Sequence, residues 1–157
     1  MKFIRILFFI LIIFLSPLFS DNNKWEYKSD ILELKKSNGD NVKELKGNVY
    51  IDHGDVNLYT DYAQVNDSKN LIKLKGAIQA IDSTKTIICD EMIYYRDQNK
   101  SAIAWGNVRM QENDRTITCD SLYYWKTDGY RETSFQAIGD VKIIGKDEFI
   151  FAQSVLY

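Results

Sequence analysis

The chain has little proline, cysteine or histidine. Its 157 residues include one proline, Pro17, together with two cysteines and one histidine. Because proline removes a backbone N–H and interrupts strand pairing, the stretch after Pro17 can pair its backbone without interruption. That stretch also lacks a sustained apolar period of 3.6 residues, so we expect no helix in it.

A surplus of positive charge is also missing. Lys and Arg total 20 against 22 Asp and Glu, a formal net charge of −2. Setting aside residues 1–20, which contain Lys2 and Arg5 but no acidic residue, leaves 18 against 22, or −4. Nucleic-acid binding needs a clear basic surplus, so this class of function is excluded. An apolar content of 45% is enough for a packed core, and the length indicates one domain, residues 21–157.

Motifs of catalysis are missing as well. The sequence contains no nucleophile elbow, no phosphate-binding loop and no metal-ligand motif, and His53 lies beside Gly54 in a predicted turn. We therefore expect a protein that is not an enzyme, with no cofactor, no metal site and no catalytic residue.

The N-terminus has the pattern of a secretory signal. Lys2 and Arg5 precede an unbroken apolar run at 6–15, and 16–20 lead into a polar segment. This predicts a signal peptide over 1–20 with Ser20 as its last residue. An uncleaved membrane anchor over the same residues is the alternative, although the apolar run is short for a full span.

What the chain does have is an internal repeat. Four segments read Gly, any residue, Val or Ile, any residue, then an apolar residue, and they begin at Gly47, Gly76, Gly106 and Gly139. A second series begins at Asp61, Asp90, Asp120 and Gln153, and its successive spacings are the same as those of the glycines. Two series in phase, with a period of roughly thirty residues, indicate repetition of a structural unit.

The repeat unit is predicted to be a hairpin of long strands. Clusters of Asn, Asp, Gly and Ser recur about every fifteen residues and separate segments rich in Ile, Val, Leu, Tyr and Thr. The pattern predicts about nine strands from Trp25 to Tyr157, antiparallel because their connections are short.

Every predicted strand bends near its centre. In the strands that contain the repeated glycines, apolar residues alternate through the glycine, which allows the strand to bend there. In the other strands the alternation shifts by one residue near the aspartate, which is typical of a bulge. The predicted fold class is all-β, an antiparallel meander folded lengthwise into two facing layers with an apolar interior. The predicted bend residues are Gly47, Gly76, Gly106, Gly139, Asp61, Asp90 and Asp120. The three aspartates recur with the period of the fold, so we expect a structural role for them, not a catalytic one.

The alternation also identifies the residues that face the interior. They are Leu58, Ile72, Leu74, Ile78, Ile87, Met92, Val108, Met110, Ile117, Leu122, Val141, Ile143 and Ile150. They would line an open apolar groove or form a dry, closed core, because inward positions look alike in the two cases. Five small inward residues favour a cavity, since a fully packed core would place larger groups at many such points. They are Ala80, Ala102, Ala104, Ala137 and Ala152.

Cys89 and Cys119 occupy equivalent positions in consecutive repeats. With one strand between them, they should lie roughly 9–10 Å apart, beyond the roughly 7 Å limit for a disulfide. We predict two buried thiols and no disulfide.

The Gly-Asn-Val segments at 47–49 and 106–108, followed by strands of the form Asp-x-Leu-x-Tyr such as Asp120 to Tyr124, resemble the OstA-like family. The resemblance covers about residues 25–157. It implies a β-jellyroll, also described as a β-taco, open along one side. Members include the lipopolysaccharide export protein LptA, the membrane-anchored LptC and the N-terminal domain of LptD.

The resemblance implies a periplasmic protein in lipopolysaccharide transport to the outer membrane, with acyl chains of lipid A in its interior. Its implied partners are lipopolysaccharide and other proteins of the fold, or a second copy, joined end to end through sheet edges. The alternatives are a structural adaptor, a membrane-anchored assembly component like LptC, and a piece of an LptD-like N-terminal domain. Tyr157 falls within the last predicted strand, so that strand is either an edge for docking or part of an incomplete domain.

Overall fold

The computed structural model describes residues 24–37, 39–96, 101–126 and 133–157. The predicted signal peptide lies outside these residues. The described part contains ten β-strands, and it contains no helix long and apolar enough to cross a membrane. The strands are β1 (Glu26–Lys28), β2 (Ile31–Ser37), β3 (Asp40–Asp52), β4 (Val56–Asn66), β5 (Leu71–Asp82), β6 (Lys85–Tyr95), β7 (Ala102–Glu112), β8 (Arg115–Lys126), β9 (Thr133–Ile144) and β10 (Phe149–Leu156).

All ten strands form one antiparallel sheet. From β3 to β10 each strand pairs with the next, while β1 and β2 both pair with β3. The predicted all-β antiparallel meander is confirmed. The count is ten, not nine, because the first predicted strand is split at Ser29 and Asp30. Its two parts pair with different portions of β3: β1 with 50–52 and β2 with 40–46.

A row of β-bulges crosses the sheet at the repeated glycines. Between β3 and β4 the register jumps from Lys46 to Val49, so Gly47 and Asn48 lie opposite the single residue Asp61. The same jump occurs at the glycines of β5, β7 and β9. The glycine and the residue after it both have positive φ, for example 76° at Gly106 and 49° at Asn107. An extra pair of residues in left-handed backbone redirects a strand, which is the geometry of a bulge.

The bulges divide the sheet into two layers. Layer 1 consists of β2 and residues 40–46, 62–66, 71–75, 91–95, 102–105, 121–126, 133–138 and 154–156. Layer 2 consists of β1 and residues 49–52, 56–60, 78–82, 85–89, 108–112, 115–119, 141–144 and 149–152. Side chains meet across the gap: the Lys85 ammonium in layer 2 lies over the Tyr124 ring in layer 1, and Trp25, which leads into β1, contacts Tyr94. The layers therefore pack face to face.

The core fills the space between the layers. One continuous hydrophobic cluster includes residues from each, such as Leu45 and Ile72 in layer 1 and Ile51 and Ile78 in layer 2. Ile51, Ile72 and Ile78 are completely buried. At the strand ends away from the bulges, described residues of the two layers meet, such as Lys85 with Tyr124 and Arg115 with Tyr157. We call this line of meeting the mouth.

Candidate functional site

The residues predicted to face the interior form most of this core. Twelve of the thirteen have exposed fractions of 5% or less, and they belong to a single cluster. These twelve are Leu58, Ile72, Leu74, Ile78, Ile87, Met92, Val108, Met110, Ile117, Leu122, Val141 and Ile143. Over most of its length the interior is therefore filled by its own side chains.

Ile150 differs from the other twelve. It lies opposite Ile143 in the β9–β10 register, and so on the same face, but it is 40% exposed. Within the described residues β10 pairs only with β9, so nothing on its other side covers Ile150. Ile150 therefore lies on the predicted face without being buried, because the sequence pattern gives the face of a residue but not its distance from the sheet edge.

A cavity of about 210 Å³ interrupts the packing near the mouth. Its lining is largely apolar toward the interior and polar toward the turns, and consists of Asp55, Val56, Ala80, Ile81, Asp82, Ser83, Thr84, Lys85, Ile87, Met92, Tyr94, Ala102 and Tyr124. A cavity of about 150 Å³ with apolar walls holds a benzene molecule, so this one has room for a segment of an alkyl chain. Of the five small inward alanines, Ala80 and Ala102 lie in its wall. Ala104 and Ala137 are buried in the packed core, and Ala152 does not line the cavity.

Lys85 closes one side of the cavity. It is 7% exposed, its Nζ lies 3.1 Å from Glu112 Oε1, and it lies 5.0 Å from the centre of the Tyr124 ring. A lysine is rarely this buried unless its charge is paired, and Glu112 provides the pairing. Because Lys85 begins β6 in layer 2 and Tyr124 lies in layer 1, their contact bridges the mouth.

A second bridge of the same kind lies one repeat further on. The Arg115 guanidinium lies 5.6 Å from the centre of the Tyr157 ring, and a hydrogen bond with Tyr157 raises the pKa of Arg115. Arg115 follows Lys85 by one repeat, and Tyr157 follows Tyr124 by one repeat. We call these two cation–tyrosine contacts the clasps. Their cations, Lys85 and Arg115, are not among the residues predicted from the sequence, although each is the first residue of a strand and lies in phase with the repeat.

The cavity lies beside the repeat that has no clasp. In the preceding repeat, Val56 occupies the position equivalent to Lys85, and Tyr94 occupies the position equivalent to Tyr124. Val56 and Tyr94 both line the cavity. Valine cannot extend a charged group across the mouth, so within the described residues no clasp forms between these two positions.

Trp25 closes the mouth at the N-terminal side of the cavity. Its ring lies 6.1 Å from the Tyr94 ring, stacks on His53 at 4.0 Å, and has the Arg96 guanidinium 4.6 Å from its centre. Arg96 also forms an ion pair with Asp67, whose pKa is lowered mainly by a hydrogen bond from Lys43. His53 thus packs on an aromatic ring in the β3–β4 turn, as a structural residue would.

The predicted bend residues come together in pairs. A Cβ atom added to Gly76 would lie 2.9 Å from Asp61 Oδ2, and one added to Gly106 would lie 2.7 Å from Asp90 Oδ2. A Cβ atom added to Gly139 would likewise overlap the side chain of Asp120. Each carboxylate therefore occupies the space that a side chain at the glycine would need.

The remaining glycine, Gly47, meets Asp30, an aspartate that the sequence analysis did not single out. Asp30 accepts a hydrogen bond of 2.9 Å from Asn48 Nδ2, just as Asp90 accepts one of 2.7 Å from Asn107 Nδ2. Asp30 precedes Asp61 by about one period, so extending the aspartate series backwards would have found it.

Both cysteines are buried and free, as predicted. Cys89 in β6 and Cys119 in β8 are separated by β7, where Val108 is paired with Cys119. Burial raises the pKa of Cys89 to about 12 and that of Cys119 to about 11, since a thiolate is poorly solvated in an apolar core. In the parts of the chain that the structure describes, no group of three or more His, Cys, Asp or Glu residues could hold a metal ion.

Comparisons with known proteins agree with this architecture. A family model described as OstA-like protein matches residues 25–132. Among solved structures, the chain resembles LptH of Pseudomonas aeruginosa, described as the LptA-homologous periplasmic component of the conserved lipopolysaccharide transport device, with a TM-score of 0.61 and 12% sequence identity. That alignment covers 78% of this chain and 94% of LptH. Comparison with curated protein sequences gives no significant match.

Proposed function

Because the chain belongs to the family of OstA-like proteins, we propose that it is a periplasmic component of lipopolysaccharide transport to the outer membrane. In this proposal the two layers shield lipid acyl chains, and the saccharide remains outside the mouth. The similarity in fold to LptH, a periplasmic transport component, supports the same role. The protein is then a passive carrier, and the energy for transport comes from other components.

The cavity beside Lys85 is the observation that favours a carrier most. It lies in the interior between the layers and is bordered by apolar core residues such as Ile87 and Met92. It therefore provides a place where an alkyl chain enters without first displacing a packed side chain.

Further acyl chains require the layers to separate, because the rest of the interior is packed. A cation–aromatic contact contributes about 0.5–2 kcal/mol. Each buried methylene contributes about 0.8 kcal/mol. Burial of two or three methylenes thus offsets the loss of one clasp, and a chain of ordinary length can open the mouth stepwise.

Lipid extraction and photo-crosslinking test the carrier proposal. Photo-methionine incorporated at Met92 and Met110, both 1% exposed, should crosslink to lipid A when the protein is isolated from envelopes, and mass spectrometry of the extract should identify bound lipid. The matched control is the double variant Arg109→Met with Met110→Leu. It moves the second probe from position 110 to the exposed position 109 on the outer face, and crosslinking from position 109 should be absent. An extract without lipid, together with no crosslink at either interior position, would contradict the proposal.

The second candidate function is a structural adaptor with a permanently closed interior. The packed core favours it, and so does the exposed edge strand β2, where Ile31, Leu32 and Leu34 are 52%, 59% and 78% exposed. An edge strand with exposed apolar side chains is suited to strand addition by a partner of the same fold or a second copy. Bound lipid distinguishes the two functions, because an adaptor would associate through β2 and carry none.

A further inference from the structure

The outer face of layer 1 carries a groove that is separate from the interior, and we call it the outer groove. It has a volume of about 290 Å³ and is lined by Tyr62, Gln64, Lys73, Leu74, Lys75, Glu91, Met92, Ile93 and Trp105. All of these except the core residues Leu74 and Met92 alternate with buried positions, so their side chains point away from the interior. Strands β4 to β7 are each paired on both sides, so no further strand can be added here. A ligand of the outer groove would therefore be held by side chains.

Two aromatic residues border the outer groove. Tyr62 in β4 and Trp105 in β7 stand at the two ends of one register row, with Lys75 and Glu91 between them. Three strand spacings of about 4.8 Å place the Cα atoms of Tyr62 and Trp105 roughly 14 Å apart. Both residues are half-buried, so each ring keeps a part of its surface exposed to the groove.

This pair of aromatic residues occurs once in the repeat. The residues that directly precede the bulge glycines or directly follow the series at 61, 90, 120 and 153 are Lys46, Lys75, Trp105, Ile138, Tyr62, Glu91, Ser121 and Ser154. Only Trp105 and Tyr62 among them are aromatic, and they border the same groove. An aromatic residue that the bend required would recur with the repeat, so these two point to a local function.

The polar side chains of the outer groove suit a ligand rich in hydroxyl groups. Gln64 and Glu91 provide acceptors, and Gln64, Lys73 and Lys75 provide donors, while a hydroxyl group both donates and accepts. The negative face of an aromatic ring attracts the weakly positive C–H groups of a sugar ring. Lys75 lies 3.5 Å from Glu91, whereas Lys73 forms no ion pair with any described residue. One positive charge therefore remains for an anionic group of the ligand.

We propose that the outer groove binds one or two sugar residues that carry an anionic group, a carboxylate or a phosphate. The sugar lies between Tyr62 and Trp105, and its anionic group lies beside Lys73. The groove is at the small end of ligand pockets, which span about 300–1,000 Å³, and this limits the size of the ligand. The inference goes beyond the proposed function, because the site lies outside the interior that would shield acyl chains. Its tests involve no lipid, so its failure would leave the carrier proposal standing.

Tryptophan NMR tests the site directly. The chain has three tryptophans, of which Trp105 lines the outer groove, Trp25 lies at the mouth, and Trp125 lies in β8 outside the groove. In the full chain labelled with ¹⁵N, glucuronate and glucose 6-phosphate should each shift the Trp105 indole signal to saturation and leave the other two in place. Equal shifts of all three signals, or no shift of any, would overturn the proposal.

Probes that carry only one of the two chemical features separate the sugar from the charge. Glucuronate should bind at least about tenfold more tightly than glucose, because glucose lacks the group that pairs with Lys73. Acetate and inorganic phosphate carry the charge without the sugar ring and should give no saturable shift of Trp105. Glucose binding as tight as that of glucuronate would refute the anionic group. A Trp105 shift by inorganic phosphate equal to that by glucose 6-phosphate would refute the sugar.

Two pairs of variants test the contacts. Lys73→Gln should weaken glucuronate binding about tenfold, to the level of glucose, and leave glucose binding unchanged. Its matched control, Lys142→Gln, removes the same charge from an exposed position on the outer face of layer 2 and should change neither.

Trp105→Ala should abolish binding of both sugars in a protein whose circular dichroism is unchanged. Trp125→Ala, on the same face of layer 1, should preserve it. Sugar binding that survives Trp105→Ala, or a glucuronate preference that survives Lys73→Gln, would show that the sugar binds elsewhere. The Lys73 pair decides the question alone if Trp105→Ala does not fold.

Discussion

At the scale of single residues, a glycine and an aspartate on neighbouring strands form the unit that is repeated. Gly106 has a φ of 76°, and the Asp90 side chain occupies the space beside its Cα. Glycine is needed there twice, for its backbone conformation and for its missing side chain. The aspartate in turn accepts a hydrogen bond from Asn107, which fixes the second residue of the bulge. We infer that the pair holds the two layers at their common edge.

A pair of glycine substitutions separates the two requirements. Gly39 has a φ of 87° but nothing within 4 Å of an added Cβ, so Gly39→Ala should lower the free energy of unfolding only by the strain of the backbone, about 1–2 kcal/mol. Gly106→Ala places its Cβ 2.7 Å from Asp90 Oδ2. It should therefore lower the free energy of unfolding by more, roughly 2–4 kcal/mol in total. Urea denaturation of the two variants measures the difference. Equal losses would mean that the contact with Asp90 contributes nothing.

The two buried cysteines predict a loss of stability in alkali. Their pKa values are raised to about 12 and about 11, so above about pH 9 the unfolded chain releases protons that the folded chain retains. The free energy of unfolding should therefore fall as pH rises above 9, by up to about 1.4 kcal/mol per pH unit for each thiol. Below pH 8 the thiols are protonated in both states, so they should not make the free energy of unfolding depend on pH.

Urea denaturation between pH 7 and pH 10.5 measures this slope. The control is the double variant Cys89→Val with Cys119→Val, which keeps apolar side chains at both positions and removes the ionisable groups. The difference in slope between the two proteins isolates the thiols from the tyrosines, which also titrate in this range. Identical slopes would contradict the raised pKa values.

At the scale of elements, the first strand behaves differently from the others. A split at Ser29 and Asp30 places β1 in layer 2 and β2 in layer 1. Every other strand in the described part of the chain continues through its bulge. Because β2 pairs only with β3 there, its apolar side chains remain at an exposed edge. This edge is the surface that we propose for strand addition.

A charge placed on this edge tests that proposal. Leu34 is 78% exposed, so Leu34→Lys should change the free energy of unfolding by less than about 0.5 kcal/mol. A lysine on an edge strand should weaken any end-to-end association, because an incoming strand would have to bury its charge. Sedimentation velocity over a range of concentrations measures the association.

The matched control is Ile88→Lys, the same change of charge at a site that is 44% exposed on the central strand β6. It should leave association as it is in the unmodified protein. If both variants weaken association equally, general repulsion and not the β2 edge is responsible.

At the scale of the whole molecule, the protein is an open sheet whose halves cover each other. No strand pairing closes it within the described residues, since β1 and β2 at one side and β10 at the other pair only inward. The mouth is instead closed by side chains, through the two clasps and the Trp25 contacts. Such contacts are individually weak. Separation of the layers would break no hydrogen bond between paired strands, but it would expose the hydrophobic cluster that joins the layers.

Two isoleucines that are paired on the neighbouring strands β9 and β10 test how closed the interior is. Ile143 is 5% exposed and Ile150, its partner across β9 and β10, is 40% exposed. Ile143→Asp should destabilise the fold by several kcal/mol, because it buries a charge without a partner. Ile150→Asp should cost less than about 1 kcal/mol, because its carboxylate remains in water. Thermal unfolding followed by circular dichroism compares them, and similar losses would mean that Ile150 is covered in solution.

The sequence by itself determined the strands apart from the split of the first one, their antiparallel order and the face on which most residues lie. These follow from local chemistry: alternation has a period of two residues, and the repeated Gly and Asp mark one position in each hairpin. The pattern also identified Cys89 and Cys119 as thiols that β7 keeps apart. It could not fix the burial of Ile150, which depends on the distance to an edge.

Only the tertiary structure decided how the two layers meet. The contact between Lys85 and Tyr124 joins residues that are far apart in the chain and lie on strands that are not neighbours, and no local pattern encodes such a contact. The same holds for the cavity at Val56, which exists because the side chain that reaches across the mouth in the next repeat is absent in this one. The periodicity of the sequence produces the sheet, and departures from that periodicity produce the site.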